Sequence, residues 1–279
     1  MRKTSSSSND RSNHSKSKRG RGARNKANLR QNLWLYGLHA VSAALKNPSR
    51  SCQDLLMTPD AAARLAPTLE SLAAGQVPSI RTVGAADVEA VLPNGAVHQG
   101  IALRTDRLDP TYLEDSCAPR IDANNEPKTS NLVMVLDHVT DPQNVGAVLR
   151  SAAAFGAKAL VVTQSNAPAE SGSLAKAASG ALDILPYIQV TNLARALDQL
   201  AELGYWRIGL AAQAESLLGE LDLSGNVALV LGAEGSGLRR LTATKCDMLA
   251  RLPTQAGFPD LNVSNAAAVA LYEIARPKI

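Results

Sequence analysis

Residues 136–157, LDHVTDPQNVGAVLRSAAAFGA, contain the change from strand to helix on which the fold depends. The run opens apolar, turns at Asp-Pro and continues as a helix, which Asp141 can cap and whose first turn suits Pro142. One stripe of apolar residues recurs at helical spacing: Val145, Val148, Leu149, Ala152 and Phe155. Asn144 and Arg150 lie off this stripe. They are candidates for function, although an arginine on a helix is commonly part of a solvated face.

The chain beyond this stretch alternates apolar strands with helices. Strands are expected at 132–137, 159–163, 184–190, 206–211, 227–231 and 248–252. Helices are expected at 144–155, 173–179, 192–203 and 262–275. Such alternation predicts an α/β fold, with a parallel sheet that carries helices on both faces.

A smaller α/β domain is predicted before this region, at 32–106. Its first element is expected to be a helix over 34–46, and short strands and helices follow up to Thr105. Residues 107–131 are polar and contain proline, which favours a linker. The second domain is then 132–279.

The charge of the chain is divided unevenly. Residues 1–30 carry ten Lys or Arg and one Asp, a net charge of +9, whereas the remainder carries −5. Because residues 1–31 offer almost nothing to bury, we expect a disordered basic tail. Such a tail suits a nucleic-acid backbone, but a transit peptide or a solubilising segment stays open.

Composition limits the other classes of protein. The chain has 279 residues, of which 45% are hydrophobic and 3% aromatic, enough for a sizeable core built from aliphatic side chains. No apolar run approaches the roughly 18 residues of a membrane helix, so we expect a soluble protein without a membrane partner. The three cysteines have neither metal-ligand spacing nor a disulfide pattern, which favours reduced thiols in a cytoplasmic protein: Cys52, Cys117 and Cys246.

A glycine-rich turn follows a predicted strand in LVLGAEGSGLRR, residues 229–240. Gly232 ends the strand, and a glycine there lets a ligand approach the backbone. The spacing of Gly232, Gly235 and Gly237 is not the GxGxxG pattern of dinucleotide sites. Because Glu234 would repel a phosphate, a neutral or cationic ligand is expected at this turn.

A third stretch, RLPTQAGFPDLNVSNAAAVALYEIA at 251–275, passes from a Gly- and Pro-containing loop into a helix. Asn262 and Ser264 stand at the start of that helix, where either could be a plain N-cap. The alanines that follow allow another backbone to pack very closely.

Together, in this order, the three stretches resemble the SpoU, or TrmH-like, RNA ribose 2′-O-methyltransferase family of the SPOUT superfamily. The resemblance covers about 132–276, and the segment YGLHAVSAAL…HQGIAL resembles the substrate-binding domain of members that modify guanosine in large-subunit rRNA. It implies a trefoil-knotted catalytic domain, a homodimer and methyl transfer from S-adenosylmethionine to a ribose 2′-OH. A guanosine of 23S rRNA is the expected target. A tRNA substrate and a non-catalytic RNA-binding or ribosome-assembly protein are the alternatives.

The resemblance also implies which residues act. Asn144, Arg150, Glu234 and Asn262 are expected in the active site. Three positions are expected to contact the cofactor through their backbone: Gly232, Leu252 and Leu261. No metal is implied. Because the pKa of arginine exceeds 12, Arg150 suits a phosphate or a developing oxyanion better than the role of a base.

Two positions depart from the family pattern. Asp260 stands where relatives commonly have serine, and Leu210 replaces a small polar residue. An ionised Asp260 cannot donate a hydrogen bond and adds negative charge near RNA. It is therefore expected to hinder substrate placement rather than to assist it.

Overall fold

The computed structural model describes residues 32–73, 76–119, 131–255 and 261–276. The predicted tail at 1–31 and the departure at Asp260 lie outside these residues. Within them are two sheets, a small mixed one near the start and a seven-stranded parallel one after it. None of the helices in the described ranges is long and apolar enough to cross a bilayer.

The small sheet has the order β1-β4-β2-β3, in which β4 is antiparallel to β1 and β2, and β3 is parallel to β2. Its elements in chain order are β1 Leu33–Tyr36, α1 Leu38–Lys46, β2 Cys52–Met57, α2 Pro59–Glu70, β3 Ser79–Thr82, α3 Ala85–Glu89 and β4 Ile101–Thr105.

The helix expected over 34–46 is wrong in its first turn. Residues Leu33–Tyr36 form strand β1 instead, and α1 starts only at Leu38. Gly37 separates the two elements with a φ of 88°, a conformation that side chains with a Cβ rarely adopt. The aromatic and branched residues of LWLY fit the pleated surface beside β4.

The predicted linker contains a short helix, α4 at Leu113–Cys117, before the undescribed residues 120–130. Its Leu113 and Cys117 are buried among residues of the large sheet. The hydroxyl of Tyr205 also donates to the carbonyl of Cys117 at 2.8 Å. This part of the connection is therefore attached to the second domain, while the boundaries at 106 and 131 stay predictions.

The large sheet confirms the predicted parallel α/β fold. Its order is β7-β6-β5-β10-β8-β11-β9, and every neighbouring pair is parallel. Its elements are β5 Leu132–Asp137, α5 Pro142–Ala154, β6 Ala159–Thr163, α6 Gly172–Ala178, β7 Tyr187–Val190, α7 Leu193–Glu202, β8 Trp206–Leu210, β9 Ser216–Leu217, β10 Val227–Gly232, α8 Arg240–Ala243, β11 Met248–Arg251 and α9 Val263–Ala275.

Helices cover both faces of this sheet, as the alternation predicts. Met134 and Leu136 of β5 face a core shared with α5, α6 and α9, whereas Val133 and Val135 face a second core shared with α4 and α7. The alternation along one strand thus divides the interior into two layers. The implied knot stays a prediction, since residues 256–260 of the connection into α9 lie outside the described residues.

Burial raises the pKa of the cysteine thiols. It raises the pKa of Cys117 to about 12 and that of Cys246 to about 11, so both remain protonated thiols at neutral pH. All three cysteines are free. Across the described ranges, no three His, Cys, Asp or Glu side chains come together in an arrangement that could hold a metal ion.

Candidate active site

Three polar side chains from three distant stretches meet at the carboxyl ends of the central strands. Asn144 lies in the first turn of α5, Glu234 follows β10, and Asn262 precedes α9. The Nδ2 of Asn262 lies 2.6 Å from Glu234 Oε1 and 3.0 Å from Asn144 Oδ1, and the Nδ2 of Asn144 lies 3.4 Å from the same Glu234 oxygen. The three residues, called the polar trio below, form one hydrogen-bonded unit.

Asn144 is positioned by the cap that the sequence predicts for α5. The carboxylate of Asp141 accepts the backbone N–H of Gln143 at 3.1 Å and that of Asn144 at 3.3 Å, and Pro142 occupies the first helical position. Because cap and proline fix the first turn, the Asn144 side chain has a defined starting point.

Asn262 is both a helix cap and a member of the polar trio. Its Oδ1 accepts the backbone N–H of Ser264 at 2.9 Å, while its Nδ2 faces Glu234 and Asn144. The sequence left open whether Asn262 or Ser264 caps this helix, and the structure assigns the cap to Asn262. The oxygen of the Asn262 amide caps the helix, and the nitrogen of the same amide bonds to Glu234 and Asn144. This side chain therefore connects the start of α9 to the polar trio.

The carboxylate of Glu234 accepts three donors on one oxygen. Besides the two asparagine amides, the backbone N–H of Val263 lies 3.2 Å from Oε1. This amide belongs to the first residue of α9, where the helix dipole favours a negative charge. The carboxylate that would repel a phosphate at this turn is thus held in place by the start of a helix.

The loop that carries Glu234 folds back on itself. A Cβ added to Gly232 would lie 2.0 Å from the carbonyl carbon of Gly237, so this position accepts only glycine. Ala233 pairs with Gly237 across the loop. Gly232 was predicted to allow the approach of a ligand, and its immediate structural role is to let the loop close.

An ion pair with one buried partner fixes the far end of this loop. The Asp137 side chain is fully buried, and its Oδ1 lies 2.7 Å from both Nε and Nη2 of Arg239. The backbone N–H of Arg239 donates to the other carboxylate oxygen at 3.0 Å. Since Asp137 ends β5 opposite Gly232 of β10, this pair anchors the loop to the sheet. Sequence reasoning missed both residues.

A cavity of about 510 Å³ opens beside the polar trio. Its lining includes all three predicted cofactor contacts, Gly232, Leu252 and Leu261, together with Glu234 and Asn262. It also includes residues that the sequence did not single out for a ligand: Leu210, Ala211, Arg251, Thr254, Val263 and Ala266. The signal that could have found Leu210 and Arg251 is their place at the ends of β8 and β11, since ligands of open α/β sheets bind beyond the carboxyl ends of strands.

Arg150 is not brought to the polar trio within one chain. It lies six residues beyond Asn144, on the exposed side of α5, and the described residues offer it neither a hydrogen bond nor an ion pair. On α9, Val269 and Tyr272 are 48% and 50% exposed, and the Tyr272 ring lies edge-on to Phe155, at the end of α5, with 6.1 Å between the ring centroids. Within the described residues, α5 thus leaves the Arg150 guanidinium exposed and unpaired, and α9 leaves two apolar side chains exposed.

Comparison with known families gives two matches, which divide the chain. Residues 131–272 match the SpoU rRNA Methylase family. Residues 34–111 match a family described as RNA 2′-O ribose methyltransferase substrate binding.

Curated relatives cover nearly the whole chain. A 23S rRNA (guanosine-2′-O-)-methyltransferase RlmB from Coxiella burnetii is 37% identical over 245 residues, which are 88% of this chain and 95% of that protein. The protein of the same name from Xylella fastidiosa strain Temecula1 is 38% identical over 249 residues, 89% and 98% of the two chains. Among solved structures, the SpoU methyltransferase AviRb from Streptomyces viridochromogenes, in complex with AdoMet, has a TM-score of 0.70 at 21% identity, with 92% and 93% covered. This last likeness concerns the fold.

Proposed function

Since the chain belongs to the SpoU rRNA methylase family, we propose that it transfers the methyl group of S-adenosylmethionine to the ribose 2′-OH of a guanosine in 23S rRNA. The observation that carries the proposal is the polar trio at the edge of the 510 Å³ cavity. Three amide and carboxylate groups, held together by mutual hydrogen bonds, can orient an alcohol beside a bound ligand.

The cavity fits S-adenosylmethionine in size and chemistry. Its volume lies within the usual range for small-ligand sites, and Leu252 and Leu261 offer apolar surface for an adenine ring. The backbone near Gly232 offers groups that can read the ring edge. The cofactor supplies a methyl group on a positively charged sulfur, so a wall that contains the Glu234 carboxylate suits it better than it suits a pyrophosphate.

The polar trio would orient the ribose. Asn144 and Asn262 have amide groups that can hydrogen-bond a hydroxyl, and Glu234 holds both amides in one arrangement. Methyl transfer needs the attacking oxygen to be aligned with the methyl group, so such positioning contributes much of the rate. No metal ion is part of this proposal.

Arg150 would contact RNA rather than the cofactor. A guanidinium stays charged at any physiological pH and forms paired hydrogen bonds with phosphate oxygens. Its exposure leaves it available for a phosphate beside the target ribose or for the charge that develops on the 2′-oxygen. A positively charged sulfonium would be repelled by the same group.

We also propose a homodimer and a cytoplasmic location. A second copy seated on the exposed side of α5 and α9 would cover Val269 and Tyr272 and would bring Arg150 into a site shared by two chains. This arrangement would give Arg150 the surroundings that a single chain lacks. The location follows from the substrate, because the relatives named above act on ribosomal RNA.

The substrate-binding match favours rRNA over tRNA. Residues 34–111 match a domain of RNA 2′-O ribose methyltransferases, and the RlmB relatives align over about 90% of the chain, so the match is not confined to the catalytic domain. A tRNA enzyme remains the alternative outcome of the test below, and so does a protein without turnover.

The test is methyl transfer from labelled S-adenosylmethionine into 23S rRNA fragments and into tRNA. Wild type is expected to label a single guanosine of the 23S fragments. Asn262→Ser keeps a good helix cap but loses the amide group, so we expect methyl transfer to fall by about 100-fold or more. The matched control is Asn192→Ser, which changes the cap of α7 away from the cavity and should leave activity near wild type. Label in tRNA alone, or in neither RNA, would contradict the proposal.

A further inference from the structure

The two domains are packed together by close backbone contacts. A Cβ added to Gly172, at the start of α6, would lie 2.5 Å from the carbonyl oxygen of Trp34 in β1. A Cβ added to Gly180 would lie 2.9 Å from Ala43 of α1, and the φ of Gly180 is 97°. Residues of both domains, among them Leu35 and Leu174, share one buried cluster. Such a fit leaves little room for the domains to slide.

A buried ion cluster crosses the same boundary. The side chain of Arg50, in the small domain, is 0% exposed. It forms ion pairs with Glu170 and Asp183 of the large domain, and its Nε lies 2.7 Å from Asp183 Oδ1. Asn47 donates to the same Asp183 oxygen at 3.1 Å, and Arg50 Nη1 donates to the carbonyl of Asp106 at 3.2 Å. We call Arg50, Glu170 and Asp183 the junction cluster.

The junction cluster also holds the connection between the domains. The other oxygen of Glu170 accepts the backbone N–H of Leu108 at 3.1 Å. Burial opposes the charge of Arg50, but the charges of Asp183 and Glu170 outweigh burial and raise the pKa of the guanidinium. Arg50 Nη2 and Asp183 Oδ2 are nevertheless buried without a hydrogen-bond partner in the described residues. Desolvation offsets much of the attraction in such a cluster, whereas loss of one partner leaves a buried charge uncompensated.

The large-domain partners of the cluster flank the helix that supports the active site. Glu170 precedes α6 and Asp183 follows it. In turn, α6 packs on α5 so closely that a Cβ on Gly146 would lie 2.4 Å from the Cβ of Ala177. Gly146 is two residues from Asn144. The small domain is therefore connected to the polar trio through α6 and α5.

We propose that Arg50 is a positioning residue, which fixes the substrate-binding domain on the catalytic domain so that RNA held by the first reaches Asn144 at one set spacing. The inference rests on the proposed methyl transfer to rRNA and adds how the target nucleotide is selected. Arg50 touches neither the cavity nor the reacting atoms. It acts through the placement of a whole domain.

The test compares Arg50→Met with Arg207→Met. Arg207 also lies between two carboxylates, Asp198 and Asp247, but all three residues belong to the large domain. On a long 23S fragment, Arg50→Met should raise the KM by roughly tenfold or more, because two buried carboxylates lose their partner. The same variant should also methylate nucleotides beside the target. Its kcat, and its activity on a short hairpin around the target, should match those of Arg207→Met.

Equal losses on both RNAs, or unchanged selectivity on the long fragment, would overturn the proposal. Glu170→Gln is the milder variant if Arg50→Met does not fold, since it keeps the shape of the side chain. Calorimetry of the full chain gives a readout without activity: one unfolding transition for wild type and Arg207→Met, and two separated transitions for Arg50→Met and Glu170→Gln. A single unfolding transition in all four proteins would refute the positioning role of Arg50. An inactive wild-type protein would refute only the proposed function.

Discussion

The anchor of the Glu234 loop can be tested by removing one side of its ion pair. Arg239→Met leaves the Asp137 carboxylate buried with only the backbone N–H of residue 239, at 3.0 Å, as a remaining partner in this pair. Removing one partner of a fully buried pair costs about 3–5 kcal/mol, and an exposed pair is worth about 0–1 kcal/mol. Because the arginine end is 47% exposed, we expect a loss between these limits, about 2–3 kcal/mol.

This loss should be visible in thermal unfolding and in cofactor binding. For a protein of this size, about 2–3 kcal/mol corresponds to a fall in Tm of roughly 4–12 °C. Calorimetric titration should show weaker binding of S-adenosylmethionine, because the loop with Gly232 and Glu234 loses its attachment to β5. The control is Arg240→Met, since the neighbouring Arg240 is exposed and has no ion pair in the described part of the chain.

A double-mutant cycle decides whether the pair itself is responsible. If Asp137 and Arg239 act together, Asp137→Asn combined with Arg239→Met should cost at least about 1 kcal/mol less than the sum of the single changes. Additive losses, or an Arg239→Met protein that unfolds at the same temperature as Arg240→Met, would refute this account of the loop.

Three further outcomes are expected. Arg150→Ala should abolish methyl transfer and leave S-adenosylmethionine binding intact, since this side chain lies outside the cavity; lost binding in calorimetry of a folded variant would contradict that assignment. Deletion of residues 1–30, which carry a net charge of +9, should weaken RNA binding and flatten the slope of log affinity against log salt without changing the modified nucleotide, and an unchanged slope would favour a targeting or solubilising tail. Asp260→Ser should raise turnover or leave it unchanged in the methylation assay, and a loss would show that the carboxylate is a working group.

The centre of the large sheet was predictable because β5, β6 and β10 are short, almost entirely apolar runs that alternate with helices. Residues 132–137 were predicted as a strand and form β5 with all six residues buried. The start of the small domain was not predictable in the same way. Trp34 and Leu35 continue into a helical pattern without a polar break, and only the left-handed Gly37 separates strand from helix.

The candidate site depended on resemblance more than on spacing. Asn144 is 118 residues from Asn262 and 90 from Glu234, and no periodicity relates positions so far apart. Resemblance also could not supply Arg50, whose partners lie 120 and 133 residues along the chain in stretches without a sequence signal. What the sequence encodes locally is the position of each side chain on its element, and contacts between elements appear only in the folded chain.

Asn262 caps α9 and also belongs to the polar trio, so the site is completed late in synthesis of the chain. Because α9 supplies part of the cavity wall and its cap belongs to the polar trio, a chain emerging from a ribosome has the eleven strands of the described ranges before it has a working site. A chain that ends between β11 and α9 should therefore lose part of the core and of the cavity wall together, and should neither bind the methyl donor nor modify RNA. Catalytic competence thus arrives after the sheet has been synthesised, and an unfinished chain cannot act prematurely on the RNA around it.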